Sequence, residues 1–563
     1  MSNRKKLILA LALITGILCC LGSSEFNLRY MYAESRYADE NEIDGKILFS
    51  KKSGFYDENF FLNIYAPTDE IYYTLDGSEP TKDSLKYEEP ILIYDASINE
   101  NTNSMREDYS GQFLLENGMY HAPNYLIDKC TVLRAVYYDQ YGNRSKTEEQ
   151  IYFVGYQLKS GYQDVNIISI TAEPEGLFSD ETGILVLGDT FEEYKKVVPN
   201  YLEKADYSWE GNFHNRGFEW ERVASAQVFN TDKELVLSQV VGLRIQGGVS
   251  RAYYPNSLNL FARDEYSGSN ELGYDFFDTG YYPQRVTLAS GGNDYRGKMK
   301  DRLGAELSKD LNFSTMNYEP YVLFLNGEYW GFFYLAEKFD ENYIEHYYGI
   351  NKDNVVIFKN SILEVGLPED QPVYSEMRDF ISNADMTDEE NYQKACELID
   401  MQSFIDYYAA EIYMARNGDW PHGNYALWRS RGVSEKPYED GKWRWMLFDV
   451  NTSAFMDYLS EHDTIAYAKE NCPLFANLCN NEQFRKDFAD KLREMRDAYF
   501  AEDLVNAKLD EYKALMSEPM EKHYQRFFGM SNDKFNETRS GMRGFAYSRQ
   551  AYIETMLLQN GFK

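Results

Sequence analysis

From Lys46 onward the hydrophobic positions fall first into short runs between turn residues and later into helical spacing. Phe60–Tyr65 (FFLNIY) and Glu70–Leu75 (EIYYTL) read as strands, the second closed by the turn Asp76-Gly77-Ser78-Glu79-Pro80. Cys130–Tyr138 and Glu148–Val154 supply two more. Short strands without a helical period predict a small all-β, Ig-like sandwich over residues 46–156. A short linker then leads to a different texture, which begins near Asn166. Val223–Phe229 and Val241–Gln246 read as strands, the latter running into Gly247-Gly248. Ser257–Arg263 alternates as a strand does. Leu303, Leu307 and Leu311 recur at i+4 and predict a helix over 300–311. Tyr321–Leu325 and Tyr329–Ala336 flank Asn326-Gly327, the signature of a type I′ hairpin. Phe404, Ile405, Tyr408, Ala409 and Ile412 share one helical face, and Trp443–Phe448 is a short apolar strand. Phe484, Phe488, Leu492, Met495 and Tyr499 open a charged, helical C-terminal part. Strands first and helices later predict an α+β fold in two lobes over residues 166–563, preceded by the sandwich.

The N-terminus changes where this chain is expected to act. Arg4, Lys5 and Lys6 precede an apolar run from Leu7 to Gly22, of signal-peptide length and short for a membrane span. Residues 1–24 are therefore expected to be a signal peptide, or an N-terminal anchor if uncleaved, and 25–45 a polar linker. The protein is expected to be exported, touching a membrane only through an uncleaved N-terminus. At 563 residues the chain suits two or three domains. Its net charge of −34 repels phosphate backbones and argues against nucleic acid as a partner. Beyond the leader, Cys130, Cys396, Cys472 and Cys479 are scattered and form no zinc-type spacing. Buried thiols are the expectation, with a Cys472–Cys479 or longer-range disulfide as the alternative.

The chemistry concentrates between Met414 and Asn451. Asp419 lies five residues before Asn424, in a loop kept from being helical by Trp420, Pro421 and Gly423, and the strand Trp443–Phe448 delivers Asp449 at its end. A carboxylate, a carboxamide and a second carboxylate in that order suit metal-assisted phosphoryl transfer, in which one group orients the attacking hydroxyl and two hold Mg²⁺ against a triphosphate. Taken alone, Asp and Asn in such loops are mostly turn formers. The order helix, loop, strand, turn, strand, Asp raises the functional reading. Gly247, Gly248, Ser250 and Arg251 form a small-residue loop whose N–H groups and guanidinium can meet phosphate oxygens, although a Gly-Gly turn is more often only a turn.

The runs GLRIQGGVSR, LNLFAR, FLNGEYWGFFYLAEKFDENYIEHYYGI, NGDWPHGNYALW and KWRWMLFDVN together resemble the spore coat protein H (CotH) kinase family, over about residues 166–460. The resemblance implies an atypical, secreted protein-kinase-like fold using ATP and Mg²⁺ or Mn²⁺. Asp419 matches the family's catalytic aspartate and Asp449 its metal-binding aspartate, with Asn424 the second metal ligand by its place in the loop. One departure stands out: the family often carries a lysine where this chain has Asn256. Arg251 or Lys359 could substitute for it, and Glu337 could anchor such a cation or cap the hairpin. IYYTLDGSEPT followed by VLRAVYYD resembles the Ig-like domain at the C-terminus of chitobiase, which implies a spacer or a weak glycan contact.

Three functions compete. The leading one is a secreted kinase moving the γ-phosphoryl of ATP to Ser or Thr of a spore-coat or other extracytoplasmic protein. The second is a pseudokinase scaffold for coat or envelope assembly, favoured by Asn256 and opposed by the retained Asp419, Asn424 and Asp449. The third is a cell-surface carbohydrate-recognition protein.

Overall fold

The computed structural model describes residues 45–111, 120–529 and 531–563. The leader and most of the polar linker expected after it lie outside the described residues. The N-terminal strands are β1 (Leu48–Phe49), β2 (Gly54–Tyr56), β3 (Phe60–Leu62), β4 (Ile64–Tyr65), β5 (Ile71–Thr74), β6 (Leu85–Lys86), β7 (Ile91–Ile93), β8 (Thr131–Tyr137) and β9 (Glu148–Val154). A five-stranded sheet runs β2-β9-β8-β5-β6, beside the pairs β1-β4 and β3-β7. FFLNIY is two strands, because Asn63 pairs with Ser50 and hands the chain from β7 to β1. Leu62, Ile64 and Ile93 of the small pairs meet Leu133, Ala135 and Tyr152 of the larger sheet in a separate small core.

The other face of that sheet belongs to the main core. Phe153 stacks on Phe55 at 4.5 Å, and its edge meets Phe229 and Phe324 of the following unit at 5.4 and 5.0 Å. The segment read as a short linker is packed: Tyr156, Tyr162 and Val165 are buried. Apolar residues on both faces of this sheet let it pack on the small strand pairs on one side and on the barrel on the other.

Seven strands then close a barrel in the order β10-β11-β12-β13-β14-β16-β15. They are β10 (Asn166–Ala172), β11 (Arg222–Phe229), β12 (Leu235–Gln246), β13 (Ser257–Phe261), β14 (Arg285–Ala289), β15 (Tyr318–Leu325) and β16 (Glu328–Ala336). The closing pair, β10 with β15, is parallel, from Asn166↔Tyr321 to Ile170↔Leu325. Asn326 and Gly327 take φ of 46° and 84°, as a type I′ turn requires, and the Asn326 side chain bonds both backbone groups of Ala172 at 2.9 Å. Past the barrel, β17 (Val355–Lys359), β18 (Ile362–Val365), β19 (Ala426–Ser430) and β20 (Arg444–Met446) form a sheet ordered β18-β17-β19-β20.

Six helices bear on the placement of the site: α1 (Lys300–Ser308), α2 (Glu341–Tyr348), α3 (Met401–Tyr413), α4 (Glu482–Glu494), α5 (Glu502–Phe528) and α6 (Asp533–Gln559). All nine residues of β16 are buried, because α5 covers the side of the strand turned away from the barrel interior. Gly331 makes that approach possible. A Cβ there would stand 2.6 Å from Phe527 Cε2 and 2.9 Å from His523 Nδ1, and its φ is +108°. Gly331→Ala is expected to cost about 2–4 kcal/mol from backbone strain plus overpacking, read as a lower denaturation midpoint at unchanged slope.

Candidate active site

The two loops that carry Asp419 and Asp449 are placed by apolar anchors. Helix α3 is buried almost throughout and ends where Ala415 turns left-handed, at φ 57°. Arg416 then folds back on Glu411 at 3.1 Å, both fully buried. Trp420 is buried against Tyr408, 5.4 Å between ring centroids, so its neighbour Asp419 is held at the surface. Arg549 of α6 braces the end of α3 from behind. This buried guanidinium donates to the carbonyls of Ile412 and Tyr413, to those of Ser460 and His462, and to Thr464 Oγ1.

The second loop leaves β20 through Phe448 to Asp449, which sits in the left-handed region at φ 56°. Asn451 follows, 8% exposed, and its Nδ2 donates to Asp449 Oδ1 and to Asp301 Oδ2, each at 2.8 Å. Asp301, in the first turn of α1, also takes the Val450 N–H at 2.7 Å. Burial and the neighbouring Asp449 charge push the Asp301 carboxyl up to about 6. The amide thus clamps two carboxylates side by side, while its own Oδ1 is buried without a partner.

Thr452 joins the loops. Its hydroxyl donates to Asp419 Oδ2 at 2.9 Å, and Asn424 Nδ2 reaches the same oxygen at 3.4 Å from a left-handed residue, φ 52°. Asn293 Nδ2 donates to Thr452 Oγ1 at 3.3 Å, and Tyr253 Oη donates to Asn293 Oδ1 at 3.4 Å. This chain brings the loop that begins at Gly247 to the same end of the barrel. The Gly292 Cα lies close by, since a Cβ on it would be 3.7 Å from the Asn451 amide.

Each residue expected from the sequence has a definite place. Asp419 and Asn424 share one loop and touch, whereas Asp449 bonds to Asn451. Gly247 is left-handed at φ 126°, and Gly248 faces open space. Arg251 is not available to a phosphate: its guanidinium donates to the carbonyls of Gly247, Phe213, Asn215 and Ile245 at 2.7–3.2 Å. Burial accordingly pushes it down to about 10. Asn256 is 2% exposed and donates to the Arg251 carbonyl at 2.7 Å, so this position braces the loop. Glu337 takes the Asn317 backbone and side-chain N–H groups at 2.8 and 3.0 Å and the Tyr347 hydroxyl at 2.5 Å. It closes the base of the hairpin and forms no ion pair among the described residues. Cys130, Cys396, Cys472 and Cys479 are all free thiols.

Asp301, Asn293, Asn451 and Thr452 escaped the sequence reading. Asn451 and Thr452 carried one signal, in lying two and three residues past Asp449. Among the described residues no group of three or more His, Cys, Asp or Glu side chains is placed to hold a metal. The site offers two carboxylates and an orphaned amide oxygen. That donor set fits Mg²⁺ or Mn²⁺, which bind through one or two carboxylates and complete their shell with water and substrate phosphate.

A family model described as CotH kinase protein matches residues 243–553, more than half of the chain. The chain belongs to the CotH kinase protein family. A kinase-like phosphotransferase activity is what membership supports, and the matched span contains every site residue described above. A second model, Fn3 associated, matches residues 62–152 of the N-terminal sheets. No curated protein matches the chain. Among the described residues no helix of this CotH protein is long and apolar enough to cross a membrane.

Proposed function

We propose that this CotH protein is an ATP-dependent kinase of two lobes, the barrel forming one and the β17–β20 sheet with its helices the other. The acceptor is a Ser or Thr hydroxyl of an extracytoplasmic, spore-coat type protein, and the chain is exported to meet it. The observation that carries this reading is the Asn451 clamp: one amide ties Asp449 to Asp301, and the next residue donates a hydroxyl to Asp419. A divalent ion at Asp449, Asp301 and the Asn451 oxygen would neutralise the triphosphate. Asp419 Oδ2 already accepts a hydroxyl hydrogen from Thr452, the geometry needed to orient an acceptor hydroxyl and take its proton. Asn424 steadies that carboxylate as well as being a candidate for the second metal position. The Gly247–Ser250 backbone offers N–H groups to phosphate from the rim, with Arg251 as its brace.

Incubation of the purified chain with labelled ATP, Mn²⁺ and casein tests the proposal. Transfer supports it. Nucleotide binding without transfer would make the protein a scaffold, and no nucleotide binding would leave carbohydrate recognition. A pH dependence arises from Asp301. With its carboxyl near 6 in the folded protein, a proton competes with the cation below that pH. Mn²⁺ affinity measured without nucleotide is expected to be level above that point and to fall about tenfold per pH unit beneath it.

A further inference from the structure

Two neighbouring lysines, Lys338 and Lys359, form no ion pair among the described residues. Lys359, the last residue of β17, lies with its Nζ 4.3 Å above the ring of Phe448, next to Asp449. Lys338 follows β16. In the β14/β16 ladder Thr287 pairs with Ala336, so Lys338 falls opposite Arg285 just past the ladder's end. Arg285 has one weak partner, Asp340 at 3.5 Å, whose carboxylate also caps α2 through the N–H groups of Asn342 and Tyr343. Among the described residues neither side-chain ammonium forms an ion pair or a hydrogen bond. Other half-buried or buried lysines without an ion pair, such as Lys233 and Lys300, donate to backbone carbonyls, whereas these two ammonium groups have no such acceptor among the described residues.

We propose that Lys338, flanked by Lys359 and Arg285, is the central cation of a polyphosphate site and replaces the lysine absent at Asn256. This rests on the kinase reading, in which the polyphosphate is that of ATP and Asp449 holds its metal. A compact anion with several charges matches three clustered cations, whereas a peptide carboxylate brings one charge and would leave two cations unpaired. The groups facing Lys338 are Lys359, Arg285, Glu364 and Asp340. Burial first, then the charges of Lys359 and Arg285, push its amine down to about 7. The negative charge of an arriving polyanion opposes both effects and favours the protonated amine, so binding at pH 8 draws a proton onto Lys338.

Calorimetry with sodium tripolyphosphate in EDTA, in two buffers of different ionisation heat at pH 8, tests this on the full chain. Wild type is expected to bind with proton uptake. Lys338→Met is expected to bind about ten- to a hundredfold more weakly with little uptake, as loss of a charge-assisted contact predicts. Lys338→Arg, whose charge is permanent, should recover most of the affinity without the uptake. Lys338→Met should also melt no lower than wild type at pH 8, since it replaces a desolvated amine without hydrogen-bond partners by an apolar side chain of similar length. Equal affinity of wild type and Lys338→Met for tripolyphosphate, or no binding by wild type, overturns the assignment. Mn²⁺–ATP bound equally by both would also overturn it while the kinase reading stands. Lys338-dependent tripolyphosphate binding without Mn²⁺–ATP binding would sink the kinase reading and leave the anion site.

Discussion

Asp419→Ala is expected to lower phosphoryl transfer by ~10²–10⁴, or roughly 3–5 kcal/mol of barrier, while Mn²⁺–ATP affinity stays near wild type. The split comes from the geometry. Asp419 is exposed and bonded to Thr452 and Asn424, whereas the paired carboxylates suited to a cation are Asp449 and Asp301. Single-turnover transfer and calorimetry on the same samples measure the two halves. Because Trp420 anchors the loop on Tyr408, the variant should melt close to wild type. A folded variant that transfers phosphate at the wild-type rate would remove Asp419 from catalysis and with it the reading of both loops.

Asp449→Asn should behave in the opposite sense. A neutral amide cannot balance a divalent ion, so metal-dependent nucleotide binding should fall by two orders of magnitude or more, about 3 kcal/mol. Ligand-free stability should rise, because Asp301 loses the like charge that helps to push its carboxyl up. Titration calorimetry with Mn²⁺–ATP reads the first effect and thermal melting without metal the second. Unchanged affinity in a folded variant would take Asp449 out of the metal site.

What could be read in advance was local. Asn326-Gly327 sets its own backbone angles, so the hairpin was legible, and so was α3 from its apolar face. Asp419, Asn424 and Asp449 could be singled out because their spacing along the chain reflects the order of two loops. Asp301 could not. It meets Asn451 across about 150 positions, and its own surroundings look like the first turn of a helix. Arg251 failed for the same reason: a charge beside glycines resembles a phosphate ligand until Phe213 and Asn215 bring carbonyls to it. Barrel closure was equally hidden, since residues 166–172 were not singled out as a strand and only the parallel pairing of β10 with β15 closes the ring.

The grip of Arg549 on the end of α3 has a consequence for synthesis on the ribosome. The last turn before the Asp419 loop takes its backbone partners from a residue 136 positions further along the chain. A nascent chain can lay down barrel, clamp and both loops and still lack the buried guanidinium that seats one against the other. The Asp419 loop therefore gains its full support only once Arg549 has been made, and a message broken before that codon yields a chain whose loop is unbraced. Helix α6 thus makes the seating of a loop far upstream depend on what is synthesised after it.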